Sequence, residues 1–432
     1  MFKFPMYDSA NPLSSLTAKQ RKQYEHIRVL REYYEGNMVQ HLKSDINKDG
    51  AMIDDNVTLN LARRIVDKGN NFLFGKGLNW QLDDFNQTEQ ENALYNIWGN
   101  EETKNAFLTE VGISGAINGN FYIQILQREE VIKLKILDPL NTFVIPNSEF
   151  DNEVALYDLR WSEGKDFYRI LNYSENGKAW LYRTEKWEAR KWITIVDEQQ
   201  WAFPWAFVLS GKNLPKPHSV YGLSDLEDIE INDEINRVAS NLNKIVRIFA
   251  HPVIWGTGWS SSDFDTSTII NSSNPHAKLQ ALELARDLGD TQEFLRMLKQ
   301  VLAEVTSIPE SDPDRLTIGA QSGFALQVLF NDAVLKTGTK RNFYGKELIE
   351  LNRRLLELAG YGDNNITKLY WSNPLPLDER TENETDRFLI ENKIVSKKTI
   401  ATKRGYDYDI ESQRIAEESR SPLNLVNFDV NL

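Results

Sequence analysis

From Leu223 to Phe249 the apolar residues Leu223, Leu226, Ile229, Ile235, Val238, Leu242, Ile245 and Phe249 recur every three or four positions, and no Gly or Pro interrupts them. That period predicts a single amphipathic helix. Its 27 residues would form a rod of roughly 40 Å at 1.5 Å per residue. His251-Pro252 stops it, because proline cannot continue a helix and disfavours helical backbone in the residue before it. A second helix is expected over about Thr291–Ser307, with Phe294, Leu295, Leu298, Val301, Leu302 and Val305 on one face and Ile308-Pro309 as its stop. A third, of about 35 residues, spans Gly323–Leu358 and closes at Gly360-Tyr361-Gly362. Rods of this length bury at most one face within a monomer, so they predict helix-on-helix packing against neighbouring copies.

The rest of the chain changes texture twice. Helices are expected over residues 17–46, with Tyr24, Ile27, Leu30, Tyr33 and Tyr34 at helical spacing up to Gly36, and then over Val57–Phe74, Thr88–Trp98 and Thr103–Ile117. From Phe121 to Val196 the segments Phe121–Leu126, Ile132–Ile136, Thr142–Ile145, Ala155–Trp161, Phe167–Asn172, Lys178–Arg183 and Lys191–Val196 are short and rich in β-branched and aromatic residues, and turns such as Asn176-Gly177 separate them. They predict an antiparallel meander. A strand at Ile366–Trp371 and a helical tail over Glu379–Ser419 complete an α+β chain of 432 residues with no internal repeat.

Composition excludes several classes. There is no cysteine, so disulfides, thiolate metal sites, iron–sulfur clusters and cysteine nucleophiles are ruled out. The 63 acids outnumber 50 bases, a net charge of −13, which argues against a general nucleic-acid or membrane-surface binder. No run approaches a membrane-spanning length and the N-terminus lacks the apolar core of a signal peptide, so neither a membrane nor secretion is expected.

Motifs that could carry chemistry read more plainly as structure. Gly69 to Gly77 resembles a phosphate loop, but it has five residues between Gly69 and Gly75, lacks the Ser/Thr after Lys76 and follows a helix; a helix C-cap is expected. Asp45-Ile-Asn47-Lys-Asp49-Gly50 copies the start of a calcium loop, yet Asn56 stands where a bidentate Glu is needed, so a polar turn is expected. His26, His41, His218, His251 and His276 are scattered, with no i,i+4 pair. No metal or other cofactor is expected.

Eight of the eleven tryptophans lie between Trp161 and Trp259. Flat rings stack on sugars, so this region has the composition of a carbohydrate-active enzyme or binding module; the commoner use of Trp is to fill sheet cores and subunit interfaces. Six acids (Asp225, Glu227, Asp228, Glu230, Asp233, Glu234) crowd Tyr221–Ile235, while Arg237, Lys244 and Arg247 share one polar face further along the helix. This arrangement complements a helix dipole, and it would equally set a basic stripe along something negatively charged. An acidic adaptor or scaffold that oligomerises without a channel is the third class the composition admits.

Four segments in order, Asn60–Lys76, Tyr221–Asp228, Ile308–Leu326 and Leu389–Thr399, resemble those of the portal (head-to-tail connector) proteins of tailed bacteriophages, in the family found in siphophages of Gram-positive hosts. Asn60-Leu-Ala-Arg-Arg-Ile-Val-Asp67 with Phe72-Leu-Phe-Gly-Lys76 looks like the family's early helix and turn. Tyr221-Gly-Leu-Ser-Asp-Leu-Glu-Asp228 looks like the entrance to its stem helix. Ile308-Pro309-Glu310 and Gly319-Ala-Gln-Ser-Gly323 with Ala325-Leu326 look like the end of the second stem helix, the tunnel loop and the start of the long helix. Leu389-Ile-Glu-Asn-Lys-Ile-Val-Ser-Lys-Lys-Thr399 looks like its crown, so the likeness spans about residues 20–420.

The resemblance implies a structural protein, not an enzyme. It implies a ring, usually of twelve copies, at one capsid vertex of the virion, assembled in the host cytoplasm. Double-stranded DNA would pass through it without sequence specificity, driven by a large terminase motor. A head-completion adaptor, the major capsid protein and a scaffold protein are the other implied partners. The implied segments are an N-terminal arm and helix (1–50), a mixed α/β wing (51–221 with 361–388), stem helices (222–250 and 290–308), a clip (251–289), a tunnel loop (310–322), a long wing helix (323–360), a crown (389–420) and a tail (421–432). Asp312, Asp314, Arg315, Thr317, Gln321 and Ser322 would face DNA from the tunnel loop, and Arg237, Lys244 and Arg247 from the stem. Trp255, Trp259, Asp263 and Asp265 would lie at the clip interface. The clip is short for the family, and relatives often carry Asn before a small residue where this tunnel loop reads Gly-Ala-Gln-Ser-Gly.

Overall fold

The computed structural model describes residues 12–37, 45–46, 52–53, 56–82, 88–128, 131–150, 153–174, 179–250, 254–257, 276, 278–281, 289–309, 328–375, 379–406 and 408–420. The chain forms two compact units. One comprises Met1–Arg31, Ile65–Glu227 and Ser307–Leu432; the other comprises Glu32–Arg64 and Asp228–Thr306.

Ten α-helices occur among the described residues. They are α1 (Ala18–Glu35), α2 (Leu61–Phe74), α3 (Thr88–Trp98), α4 (Glu101–Asn118), α5 (Glu230–Ala250), α6 (Gly289–Thr306), α7 (Asn331–Leu358), α8 (Glu379–Glu391), α9 (Lys397–Lys403) and α10 (Tyr408–Arg420). The strands are β1 (Asp45–Ile46), β2 (Met52–Ile53), β3 (Leu78–Leu82), β4 (Asn120–Arg128), β5 (Val131–Leu137), β6 (Thr142–Pro146), β7 (Val154–Glu163), β8 (Asp166–Ser174), β9 (Trp180–Glu188), β10 (Lys191–Gln200), β11 (Val208–Lys212), β12 (Ile254–Thr257), β13 (Lys278–Ala281) and β14 (Thr367–Trp371).

Four expectations change. The first helix ends at Glu35, because Gly36 takes a positive φ of 85° and its N–H turns back to Tyr33 O; Asp45–Ile46 then pairs with Met52–Ile53 as a small antiparallel ladder. The helix expected from Leu223 starts at Glu230, so its 21 residues make a rod of roughly 32 Å. The predicted tail is three helices, separated where Ser396 caps α9 and where Gly405 adopts a φ of 85°. The expected single meander is two sheets, β10-β9-β8-β7-β6 and β11-β4-β5, with β11 and β3 as strands that local pattern did not predict; β3 pairs with β14, which matches the strand expected at Ile366–Trp371. Of the helix expected from Gly323, residues 323–327 lie outside the described residues, and α7 follows from Asn331. The glycines after α2 do form its C-cap, with Gly77 at φ 76° and its N–H on Phe74 O.

The core of the larger unit is built on α7. Tyr344, Leu348, Leu351 and Leu355 fall at i, i+4, i+7 and i+11, and they meet Leu108 and Val111 of α4 and Phe121 and Ile123 of β4. Phe121 stacks on Tyr344 with ring centroids 4.6 Å apart. α4 is delimited at both ends: Asn100 accepts from Thr103 N at 3.0 Å, and Gly119 takes the left-handed conformation with its N–H on Gly115 O. A second cluster joins the sheets through Tyr122, Val144, Tyr157, Leu159, Phe207 and Tyr221.

In the smaller unit α5 and α6 lie against each other. Ile235 and Val238 of α5 and Leu302 of α6 are buried. α5 also buries polar residues at i, i+4 and i+8, namely Asn232, Asn236 and Ser240. Asn236 Oδ1 accepts from Leu59 N at 2.8 Å and Ser240 Oγ from Val57 N at 2.9 Å, so two side chains tie residues 57–59 to the helix.

Candidate functional site

Of the segment Tyr221–Asp228, expected to open the first long rod, residues 221–227 instead form a largely buried polar knot in the larger unit. Gly222 approaches Gly119 so closely that a Cβ on Gly119 would sit 2.7 Å from Gly222 O. Asn120 spans the approach, accepting from Gly222 N at 2.8 Å and donating to Gly211 O and Val220 O at 3.2 Å each. Ser224 Oγ lies 2.8 Å from both Ala116 O and Ile117 O, closing onto the end of α4. Asn213 donates to Leu223 O and accepts from Tyr344 Oη.

Asp225 is the centre of the knot. Its carboxylate is 2% exposed and pairs with Lys340 and, at 3.2 Å, with Lys336, both on α7. Burial alone would raise its pKa, but the two ammonium groups hold it below the usual carboxylate range. Burial also lowers the pKa of Lys340, against the attraction of Asp225. Of the six acids in the cluster, Asp225 therefore anchors the chain to α7 and does not serve the helix dipole. Glu227 caps Ser224 N and bonds His26, and only Glu230 and Asp233 lie in the first turn of α5.

The basic residues expected to line a stem are on α5, but they form no free stripe. Arg237 is exposed and its Nε donates to Glu234 Oε2 at 2.8 Å, one turn back. Lys244 is half-buried; the side chain of Arg247 lies outside the described residues. Trp255 sits in β12 opposite Gln280 of β13. Its side chain is not among those described, and Trp259, Asp263 and Asp265 lie outside the described residues. So do Asp312, Asp314, Arg315, Thr317, Gln321 and Ser322.

The tryptophans of the β region engage the protein's own side chains. Trp205 is buried, and Trp201 packs edge-on to it and to Phe207. Trp161 stacks on Tyr168. Trp192 meets Trp187 edge-on and carries the guanidinium groups of Arg169 and Arg160, at 4.5 and 5.3 Å from its centroid. Those two arginines belong to a buried ladder in which Asp158 pairs with Arg160 at 2.7 Å and Glu185 with Arg169 at 2.6 Å. These rings fill sheet faces in place of presenting a sugar platform.

No group of three or more His, Asp or Glu side chains among the described residues is arranged to hold a metal ion. No helix among them is long and apolar enough to cross a membrane.

No curated protein matches the chain. Among solved structures it is similar to a chain of the virion of a native gene transfer agent particle, at 12% identity and a TM-score of 0.42 over 80% of this chain and 89% of that one. A chain from the neck of an empty particle of that kind gives 13%, 0.43, 80% and 90%. Residues 13–422 match the family described as "Phage portal protein, SPP1 Gp6-like". With nearly the whole length matched, the chain belongs to the SPP1 Gp6-like family of phage portal proteins.

Proposed function

We propose that copies of this chain assemble into a ring at one vertex of a phage head, and that double-stranded DNA is loaded and later released through the central hole. The observation that carries the reading is the family match across residues 13–422. A portal protein is a structural component of the particle and not an enzyme.

Two features of the chain support the ring. Phe294, Met297, Val301 and Val305 recur at i, i+3, i+7 and i+11 on α6 and are each 37–46% exposed. An apolar stripe of this kind is what a neighbouring copy would cover. The net charge of −13 per chain, repeated around a ring, repels phosphates and disfavours the counterion-release binding that would trap DNA in transit.

In this reading residues 222–250 and 290–308 are the stem, 251–289 the clip that docks the terminase motor and the head-completion adaptor, 310–322 the tunnel loop and 389–420 the crown. Trp255 and Trp259 would anchor the docked partners, since aromatic residues concentrate binding energy at interfaces. Negative-stain class averages of the purified chain test the proposal. Rings with a central hole, usually of twelve copies, are expected; a monodisperse monomer at the same concentration rejects it.

A further inference from the structure

A cleft of about 640 Å³ in the larger unit gathers cations from three separate stretches of sequence. Lys76 follows α2, Arg341 lies on α7, and Lys403 and Arg404 end α9; Trp371 of β14 forms part of the wall. One acid, Glu101, lines the same space, and it is shared with Lys104 at 3.4 Å. Such a concentration of positive charge is out of keeping with a chain of net −13.

Among the described residues, the internal partners of Lys76 and Arg341 are mostly backbone carbonyls, not acids. Lys76 gives one hydrogen bond to Leu375 O at 3.1 Å. Lys403 and Arg404 share the single carboxylate of Asp386. Arg341 lies over the Trp371 ring at 5.2 Å and donates Nη2 to Ser372 O at 2.6 Å, while its buried Nε has no hydrogen-bond partner among the described residues. Burial alone shifts its pKa, downward, with no acid opposing. A half-buried guanidinium without a counter-anion is costly, and an incoming anion removes that cost.

We propose that this cleft is a binding site for a phosphate group, supplied by the backbone of duplex DNA. Ammonium and guanidinium donors arriving from different elements suit a tetrahedral anion with oxygens on several sides. The site stands on the cations; the choice of duplex DNA as the source rests on the portal reading. None of its lining residues belongs to the segments proposed as tunnel loop or stem.

Acetylation footprinting of the full-length assembled protein, read by mass spectrometry, tests this. Lys346, 81% exposed on α7, is the reference. A short duplex at low salt is expected to protect Lys76 and Lys403 and to leave Lys346 reactive, and inorganic phosphate at high concentration should protect the same pair. Lys76→Glu with Lys403→Glu should lower duplex affinity about tenfold or more and flatten the log–log salt slope by about 1.8, the loss of two phosphate contacts. Lys346→Glu should do neither. Because Lys76 and Lys403 are exposed, ring size and circular dichroism should survive the double change. Protection by phosphate but not by duplex, with rings intact, would overturn DNA as the source while keeping the anion site and the portal reading. Protection by neither, or by polyglutamate alone, would overturn the site.

Discussion

At the scale of single residues, the energetics centre on Asp225. A carboxylate 2% exposed between two lysines is stabilising only while both signs are present. Asp225→Ala removes the carboxylate that Lys336 and Lys340 share and should destabilise the larger unit by about 3–5 kcal/mol. Denaturant unfolding at neutral pH measures it. The pH dependence follows from the lowered pKa of Asp225. A carboxyl whose folded pKa is depressed contributes fully above its unfolded value of about 3.9 and loses the contribution as pH falls through the folded value. Asp225→Asn should therefore flatten the acid limb of the stability curve below about pH 4. An unchanged acid limb in that variant would mean the carboxylate is not ionised in the fold. None of this was visible locally, because Asp225 and Lys340 are 115 residues apart in sequence and Asp225 reads there as one of six acids at a helix entrance.

At the scale of elements, the periodic segments were well predicted from the sequence and their ends less so. α3 matches its expected range, and α4 agrees within two residues, because cap residues such as Asn100 and Gly119 sit where the apolar period stops. The start of α5 differs because Leu223, Leu226 and Ile229 keep helical spacing while the chain is still turning through the knot; the burial of Leu226 and Ile229 is tertiary, not periodic. β3 carries a strand signal, since Leu78, Trp80 and Leu82 alternate with Asn79 and Gln81, but at five residues just after a helix cap it reads as a turn until its partner β14, itself expected, is seen beside it. The polar stripe of α5 makes a sharp expectation. Asn236→Ala strands the Leu59 N–H and should cost about 1–3 kcal/mol. Hydrogen exchange at Val57 and Leu59 should accelerate ahead of the core of α5. The outward face of α6 makes another. Met297→Asp or Val301→Asp puts a charge on the exposed stripe, so rings should be lost while circular dichroism and the monomer's melting temperature hold. Light scattering after size exclusion decides it, and intact rings in both variants would remove α6 from the subunit interface.

At the scale of the whole molecule, assembly and DNA passage should separate by mutation. The basic face of α5 is a weak candidate for gripping DNA, since Arg237 is already paired with Glu234. The cation cleft was hidden from sequence reading because residue 76 meets residues 341 and 403 only in the fold. That leaves the segment 310–322 as the proposed point of closest approach to DNA in transit, on sequence grounds. Its charges are mixed, with Arg315 between Asp312, Asp314 and the amide of Gln321, so its hold on a phosphate should be weak and salt-sensitive. A weak grip suits a conduit, because a tight one would stall a moving duplex. Arg315→Glu should accordingly leave ring assembly, and the Lys76 and Lys403 footprint, unchanged while lowering the yield of packaged DNA in a complementation assay. Met297→Asp should instead abolish rings and packaging together. Normal packaging by Arg315→Glu would take Arg315 out of the mechanism, and loss of rings in that variant would reassign the segment from the channel to the subunit interface.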